Sequence, residues 1–216
     1  MHCHNTVPMP LQVSKMIAIL DYDAGNIKSV EKAVGYLGED GIITRDKDII
    51  LSSDKVILPG VGNFGDAMKK LHDYKLCDVI YDVIDSGKPF LGICLGLQLL
   101  YKESEESPGA AGLGILDGSI KRIPDKDGLK VPHIGWNSIK IKKGAKLFEG
   151  VDDNSYVYFV HSYYLESNNE QDVAAISEYS TLIHASVEHK NIYACQFHPE
   201  KSSEVGLKIL RNFIEL

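Results

Sequence analysis

The sequence lacks the long hydrophobic segments that membrane proteins need. None of the apolar runs in its 216 residues approaches the roughly 18 to 20 residues of a membrane-spanning helix. Residues 1–15 also lack the apolar centre of a secretory signal peptide. These absences exclude an integral membrane protein and predict a cytoplasmic location.

Positive charge is also in short supply. The sequence has 23 lysine and arginine residues against 30 aspartate and glutamate residues, which gives a formal net charge of -7. The basic residues are scattered, so the sequence has no basic stripe of the kind that neutralises nucleic-acid phosphates. We therefore expect no nucleic-acid partner.

Cysteine is scarce and irregularly spaced. The four cysteines are too few for a disulfide framework in a chain of this length. We therefore expect reduced thiols at Cys3, Cys77, Cys94 and Cys195. His2 and His4 flank Cys3 closely enough to bind a stray metal ion, but this segment is typical of a frayed leader. We predict a disordered leader over residues 1–15, without a functional metal site.

What the sequence does contain indicates one folded domain. Hydrophobic residues make up 44% of the chain and charged residues 25%, as in typical folded proteins. No linker interrupts the chain, so we predict a single domain over residues 16–216. It begins with a short apolar run, Met16–Leu20, of the kind that forms a buried parallel strand.

A helix is predicted directly after this strand. Its apolar residues recur at helical spacing, at Ile27, Val30, Ala33, Val34 and Leu37. Asn26 stands at the expected N-cap, and Gly38 stands where a C-terminal glycine would end the helix.

The rest of the first half continues this alternation of strands and helices. Further strands are predicted at 42–44, 56–58 and 90–93, and amphipathic helical sequence follows Gly65 as far as Ile84. Such alternation predicts a parallel sheet covered on both faces by helices, with ligands beyond the carboxyl ends of its strands.

The pattern changes after about residue 119. Strands are predicted at 119–123, 137–141, 156–161, 173–177, 182–187 and 192–197, and an amphipathic helix at 204–214. We interpret these strands as hairpins added to the central sheet. The expected fold is therefore an α/β three-layer sandwich with a central, mostly parallel sheet and added antiparallel strands in the C-terminal half.

A possible nucleophile lies between the strand at 90–93 and a helix-like segment. Gly92–Gly96 spells Gly-Ile-Cys-Leu-Gly, which is the context of a nucleophile elbow. The glycines allow the backbone to turn sharply, and the helix N-terminus favours a thiolate at Cys94. Cysteine in an apolar segment is also often a small buried residue. The elbow by itself leaves both interpretations open.

A histidine and a glutamate two positions apart follow the strand at 192–197. In an extended segment such residues point the same way, so Glu200 could hold one nitrogen of His198 while the other faces Cys94. A lone histidine at the end of a strand is otherwise usually a surface residue. The remaining candidate bases lack this pattern and are interpreted as structural: His133, His161, His184 and His189.

A glycine-rich loop, Pro59–Gly65, follows the strand at 56–58. It lacks the Lys-Ser or Lys-Thr ending of a phosphate-binding P-loop. Its backbone N–H groups near Val61 and Gly62 could instead join that of Leu95 to stabilise the oxygen of a tetrahedral intermediate.

These three motifs together resemble the class I, or triad-type, glutamine amidotransferases, over about Met16 to Leu216. The resemblance implies a catalytic triad of Cys94, His198 and Glu200. It also implies an oxyanion hole at Val61, Gly62 and Leu95, and glutamine contacts at Gly60, Gly62, Gln98, Ser162 and Tyr163. The implied reaction releases ammonia from glutamine through a cysteine thioester and requires no metal or organic cofactor.

Three further motifs are similar to those of the glutaminase subunit of imidazole glycerol phosphate synthase: Asp23–Asn26, Pro132–Asn137 and Tyr158–Tyr163. Lys201-Ser202-Ser203 fits the same family. This resemblance implies a heterodimer in histidine biosynthesis with a cyclase subunit, a (β/α)8 barrel that receives the ammonia. The implied interface residues are Trp136, Asn137, Tyr158 and Lys201.

Several alternatives remain open from sequence. A paralogous subunit could feed a cyclase-like partner that modifies surface sugars. Other amidotransferases supply anthranilate, purine or pyrimidine synthesis, although the motifs around Asp23 and Trp136 argue against these. A non-catalytic regulatory subunit is disfavoured by the intact triad motif. A free-standing Cys-His peptidase or γ-glutamyl hydrolase would not need interface residues.

Overall fold

The computed structural model describes residues 15–216. An eight-stranded sheet forms its centre, in the order β2-β1-β3-β4-β12-β11-β10-β7. Numbered in chain order, these strands are β1 (Met16–Leu20), β2 (Asp40–Thr44), β3 (Lys55–Leu58), β4 (Phe90–Ile93), β7 (Lys140–Ile141), β10 (Val173–Glu178), β11 (Leu182–His189) and β12 (Ile192–Cys195). The pairs from β2 to β12 are parallel, and those from β12 to β7 are antiparallel.

Two smaller antiparallel pairs complete the strands. β5 (Gly118–Arg122) pairs with β9 (Tyr163–Ser167), and β6 (His133–Ser138) pairs with β8 (Tyr156–His161). The mostly parallel sheet with antiparallel additions confirms the predicted fold class.

Helices cover both faces of the central sheet. They are α1 (Ile27–Tyr36), α2 (Lys47–Ser52), α3 (Phe64–Asp73), α4 (Leu76–Asp85), α5 (Leu95–Leu99) and α6 (Ser203–Glu215), with 3₁₀ turns at Lys146–Phe148 and Pro199–Lys201. Successive residues of β1 point to opposite faces: Leu20 packs in the layer of α3 and α4, and Ile19 in that of α1 and α6. No helix among residues 15–216 is long and apolar enough to cross a membrane.

The end of α1 follows the prediction. Gly38 has a φ of 90°, and its N–H donates to the carbonyl of Gly35. The Glu39 N–H donates to the carbonyl of Val34, which completes a Schellman motif. Asn26 precedes α1 as predicted, but its side chain makes no capping hydrogen bond. That part of the prediction was wrong.

Other differences reflect tertiary context. The helical stretch predicted after Gly65 is two helices, separated where Lys75 adopts a left-handed φ of 56°. The strand predicted at 137–141 divides between β6 and β7, because the Ile139 N–H donates to the Ser155 carbonyl while its own carbonyl accepts from the Asn154 N–H, an irregularity that ends the β6–β8 ladder. α2 and β9 were not predicted. Residues 1–14 of the predicted leader lie outside the described residues.

The parallel strands bring the sequence motifs together. β3, β4 and β12 are neighbours that run in the same direction, so the segments after Leu58, Ile93 and Cys195 leave the sheet at one edge. The segment after β1 leaves at this edge too. The glycine-rich loop, the cysteine elbow and the His-Pro-Glu sequence therefore meet.

Candidate active site

Cys94 occupies a strained turn between β4 and α5. Its φ of 53° and ψ of -105° are unusual for a residue with a side chain. A Cβ at Gly96 would lie 1.8 Å from the Leu58 carbonyl oxygen, and one at Gly92 would lie 2.8 Å from the Gly96 oxygen. The structure thus confirms the steric reason for glycine on both sides of the cysteine.

The Cys94 thiol faces polar groups in a buried setting. Its Sγ lies 3.9 Å from the carbonyl oxygen of Val160 and 3.6 Å from Nε2 of Gln196. Gln196 is fully buried and was missed in the sequence analysis. Its position two residues before His198, directly after β12, was the available signal, because alternate residues of a strand share a face.

His198 and Glu200 form a buried pair. The distance from His198 Nδ1 to Glu200 Oε1 is 2.8 Å, and the exposed fractions of the two side chains are 1% and 0%. The backbone is not extended as predicted, because Pro199–Lys201 form a 3₁₀ turn. The turn still brings the two side chains into contact.

The surroundings of His198 favour its protonated form. Burial alone would lower the pKa of His198, but the charges and hydrogen bonding of Cys94 and Glu200 raise it to about 10. Nε2 is buried and makes no conventional hydrogen bond within the described part of the chain. A proton on this nitrogen is therefore held next to Cys94, from where it can be given to a leaving group.

The predicted oxyanion donors do not form an open site. Val61, Gly62 and Leu95 all line one pocket with Cys94. However, the Leu95 N–H already donates to the Gly60 carbonyl oxygen at 3.3 Å. The hole predicted at these residues is therefore closed in this conformation, and opening it requires that the Gly60 carbonyl rotate away.

The pocket has a volume of about 270 Å³, near the lower end of the range for small-molecule sites. Its lining includes all but one of the predicted glutamine contacts: Gly62, Gln98, Ser162 and Tyr163. Gly60 does not line the pocket. The Gln98 amide donates to the Tyr163 carbonyl and to Gln196 Oε1, both at 3.0 Å. Gln98 thus ties the pocket wall to the residue that contacts the thiol.

Glu106 is the second residue of the site, after Gln196, that the sequence analysis missed. It is the one carboxylate that lines the pocket in the described part of the chain. Its Oε2 accepts the N–H of Phe64 at 2.7 Å, and burial raises its pKa. Glu106 lies in the loop after α5, without a regular element to mark it, so only the tertiary structure reveals its position.

The predicted interface residues lie on the β6–β8 pair and beside it. Trp136 pairs with Tyr158, with ring centroids 6.0 Å apart, and Lys201 is exposed. Alternation along β6 places Asn137 on the opposite face from Trp136, where its amide donates to the Glu178 carbonyl. The strand therefore separates Asn137 from Trp136 and Tyr158.

Two of the histidines interpreted as structural take part in a buried series of hydrogen bonds. His161 Nδ1 lies 2.9 Å from the Tyr163 carbonyl, and His161 Nε2 lies 3.0 Å from His133 Nδ1. Burial lowers the pKa of His133 to about 4 and that of His161 to about 3. Both hydrogen bonds can form between neutral rings, because His133 Nδ1 donates to His161 Nε2 and His161 Nδ1 donates to the Tyr163 carbonyl. Within residues 15–216 no cluster of three or more His, Cys, Asp or Glu side chains could hold a metal ion.

The comparisons with known proteins agree with the observed fold. The model of the family "Glutamine amidotransferase class-I" matches residues 18–216. A structure described as a glutamine amidotransferase superposes with a TM-score of 0.72 at 21% identity and covers 92% of this chain and 97% of its own. Another, from Thermotoga maritima, gives 0.64 at 18% identity, over 94% of this chain and 82% of its own. The chain belongs to the class-I glutamine amidotransferases.

Curated relatives define the group within this class. Imidazole glycerol phosphate synthase subunit HisH of Methanocaldococcus jannaschii is 50% identical over 201 residues, which cover 93% of this chain and all of the relative. The subunits of the same name from Bacillus cereus strain G9842 and Methanothermobacter thermautotrophicus are each 49% identical. The matches cover 92% and 93% of this chain, and 93% and 98% of those relatives, respectively. Within the class, the chain belongs to the family of these synthase subunits.

Proposed function

We propose that this chain is the glutaminase subunit of an imidazole glycerol phosphate synthase. It hydrolyses L-glutamine to glutamate and ammonia and passes the ammonia to a (β/α)8 cyclase subunit in histidine biosynthesis. The observation that carries the proposal is the convergence of Cys94, His198 and Glu200 beside a pocket of amino-acid size. The relatives of 49 to 50% identity that are named as imidazole glycerol phosphate synthase subunits also support it.

The proposed reaction uses these three residues in sequence. The Cys94 thiolate attacks the side-chain carbonyl of glutamine, and His198 protonates the departing ammonia, which leaves a γ-glutamyl thioester. Water then attacks the thioester while His198 accepts its proton, and glutamate is released. Glu200 orients the imidazole through Nδ1, so that Nε2 serves both steps.

The closed oxyanion site predicts regulation by the partner. While the Leu95 N–H remains bonded to the Gly60 carbonyl, it cannot stabilise the oxygen of the tetrahedral intermediate. We therefore expect the isolated chain to hydrolyse glutamine slowly. Binding of a partner loaded with its acceptor rotates the loop and accelerates the reaction.

Glu106 is proposed to hold the α-ammonium group of glutamine. The substrate is a zwitterion, and its ammonium group needs an anionic acceptor within the pocket. Glu106 supplies that charge, and its bond to the Phe64 N–H fixes its orientation.

Replacement of Glu106 by glutamine is expected to raise the KM for glutamine by about 10- to 100-fold, because a charge-assisted bond of roughly 1.5 to 3 kcal/mol is lost. Steady-state glutamate release over a range of glutamine concentrations measures the change. Glu103→Gln, which alters an exposed glutamate of the same loop, is the control. An unchanged KM in Glu106→Gln would contradict the assignment.

The outer face of β6 and β8 is proposed to bind the cyclase. Ile134 and Tyr156 are each 60% exposed and Trp136 is 50% exposed, and all three lie on one face of this pair. Neighbouring exposed apolar residues of this kind mark protein interfaces. Tyr158, beneath Trp136, continues the same surface.

Trp136→Ala is expected to weaken binding of the cyclase about 30-fold or more, because large aromatic side chains often contribute roughly 2 kcal/mol or more at an interface. Titration of one subunit with the other gives the dissociation constant. Tyr36→Ala, which removes a 74% exposed aromatic on α1, should leave it unchanged. Equal effects of the two changes would argue against this surface.

Identification of the co-purifying subunit tests the proposal as a whole. We expect a cyclase whose bound acceptor stimulates release of glutamate from glutamine. A cyclase-like partner that responds only to a sugar acceptor would support the paralogous function. Full glutamine hydrolysis without any partner would favour a free-standing hydrolase.

A further inference from the structure

Asn26 has an unfavourable backbone conformation that does not serve helix capping. Its φ is 68° and its ψ is 1°, in the left-handed region, which asparagine tolerates better than most residues but which differs from the extended conformation of an ordinary N-cap. An asparagine at this position would normally accept hydrogen bonds from the first N–H groups of α1, but here it does not. A strained residue that gives up its ordinary stabilising role indicates another use for its side chain.

The Asn26 side chain reaches the buried pair at the other end of the chain. Nδ2 donates to Glu200 Oε1, the same oxygen that accepts the proton of His198 Nδ1 at 2.8 Å. It also lies 3.5 Å from His198 Nδ1. Since an ionised carboxylate only accepts hydrogen bonds, the amide nitrogen must be the atom that faces it.

The Glu200 carboxylate has few other hydrogen bonds, which makes its contact with Asn26 important. Oε2 is buried and has no hydrogen-bond partner among the residues that the structure describes. Among the described residues, His198 and the side-chain amide of Asn26 are thus the two side chains that donate hydrogen bonds to the Glu200 carboxylate. We propose that Asn26 is a positioning residue that holds Glu200 in the orientation needed to align His198 with Cys94.

The loop before α1 is built to keep Asn26 in place. Arg45 donates to both Asp21 and Asp23 at 2.7 Å and lies 4.1 Å above the ring of Tyr74. The Tyr74 hydroxyl donates to Asp23 as well. These contacts fasten the loop to the residues that directly follow β2 and α3.

The loop before α1 also contacts the glycine-rich loop. A Cβ at Gly25 would lie 2.7 Å from Cγ2 of Val61, so the chain at Gly25 passes directly against this side chain. Asn26 therefore lies between the glycine-rich loop and Glu200. A displacement of Asn26 would alter the orientation of the acid while leaving the thiol in place.

Asn26→Gly separates the positioning role from a structural one. Glycine suits the φ of 68°, which offsets part of the stability lost with the hydrogen bond to Glu200, so the melting temperature should fall by no more than about 4 °C. The kcat for glutamine hydrolysis by the complex with its partner should fall about 10- to 100-fold, the usual effect of losing a group that orients an active residue, with KM changed less than about twofold. Lys28→Gly, on the exposed side of α1, is the control for loss of a side chain near this end of the helix.

Asn26→Asp provides a second and independent readout. It places a carboxylate against Glu200, which disfavours ionisation of both and should move the acidic limb of the kcat profile to higher pH. The rate of Cys94 alkylation by iodoacetamide, followed by mass spectrometry of its peptide, should show a matching shift. A pH profile like that of the unaltered protein, or losses of activity that only follow losses of stability, would overturn the proposal.

The inference rests on the proposed glutaminase function, but the experiments distinguish the two. Absence of glutamine hydrolysis by the unaltered complex would refute the function. An unaltered complex that hydrolyses glutamine, together with an equally active Asn26→Gly, would refute only the role of Asn26. The alkylation measurement requires no glutamine, and a Cys94 reactivity that is the same in all three forms would refute the role of Asn26 by itself.

Discussion

Replacement of Cys94 by alanine is expected to abolish glutamine hydrolysis, with a fall in kcat of about 10⁴-fold or more. Alanine cannot form the thioester, and no neighbouring group can take its place, because Gln196 and the Val160 carbonyl that surround the sulfur are not nucleophiles. Release of glutamate by the complex with its partner measures the effect.

Two controls make this prediction specific. Ammonia supplied directly should still support the partner's reaction with Cys94→Ala, because the change leaves the proposed interface on β6 and β8 intact. Cys77→Ala, which alters a buried cysteine beside His72, should retain glutaminase activity. Full activity in Cys94→Ala would refute the nucleophile and with it the proposed mechanism.

Replacement of Gly96 by alanine is expected to lower the free energy of unfolding by about 4 kcal/mol or more, a magnitude that single substitutions seldom reach. The added Cβ would lie 1.8 Å from the Leu58 carbonyl oxygen, so β3 or α5 would have to move. Because β3 leads into the glycine-rich loop and α5 begins within the elbow, the displacement should remove activity together with stability. Denaturant unfolding of the purified chain measures the change.

Gly35→Ala is the matched control for this change. A Cβ at Gly35 meets nothing within 4 Å, and the residue lies in the last turn of α1. Because alanine has the higher helix propensity, this variant should be stabilised by about 0.5 to 1 kcal/mol. A Gly96→Ala protein as stable as the unaltered one would show that the elbow does not depend on close approach of the two backbones.

The local elements of the first half were predictable because short-range physics decides them. β1 matches the apolar run Met16–Leu20 at both ends, and α1 ends at Tyr36, just before the Gly38 that supplies the positive φ. The same approach missed α2, whose six residues form less than two turns and depend on packing against α4. It also joined α3 and α4, because their apolar spacing continues across the break at Lys75.

The residues of the proposed site also differ in whether the sequence could predict them. Cys94, His198 and Glu200 were found because each lies in a short sequence with recognisable chemistry, and the parallel order of β4 and β12 brings the sequences together. Gln196 could have been found by alternation along the same strand. Glu106 could not, because it lies in an irregular loop whose path follows from packing around α5.

Asn26 shows where a correct local prediction can give the wrong chemistry. Its position before α1 was predicted, and an N-cap is the ordinary use of asparagine there. Its side chain instead meets Glu200, 174 residues further along the chain. Local propensity cannot anticipate such a contact, because the energy that holds the residue in its strained conformation comes from the tertiary structure around it.

The sequence by itself determined the character of this protein: an α/β chain with a cysteine in a glycine-flanked turn and a His-Pro-Glu sequence at the end of a strand. These features depend on sterics and periodicity within a few residues. The tertiary structure decided the state of the site. It brought Glu106 into the pocket and Gln196 against the Cys94 thiol, turned Asn26 toward Glu200 and placed the Gly60 carbonyl on the Leu95 N–H. Those contacts follow from the order of strands in the sheet, which no local pattern encodes.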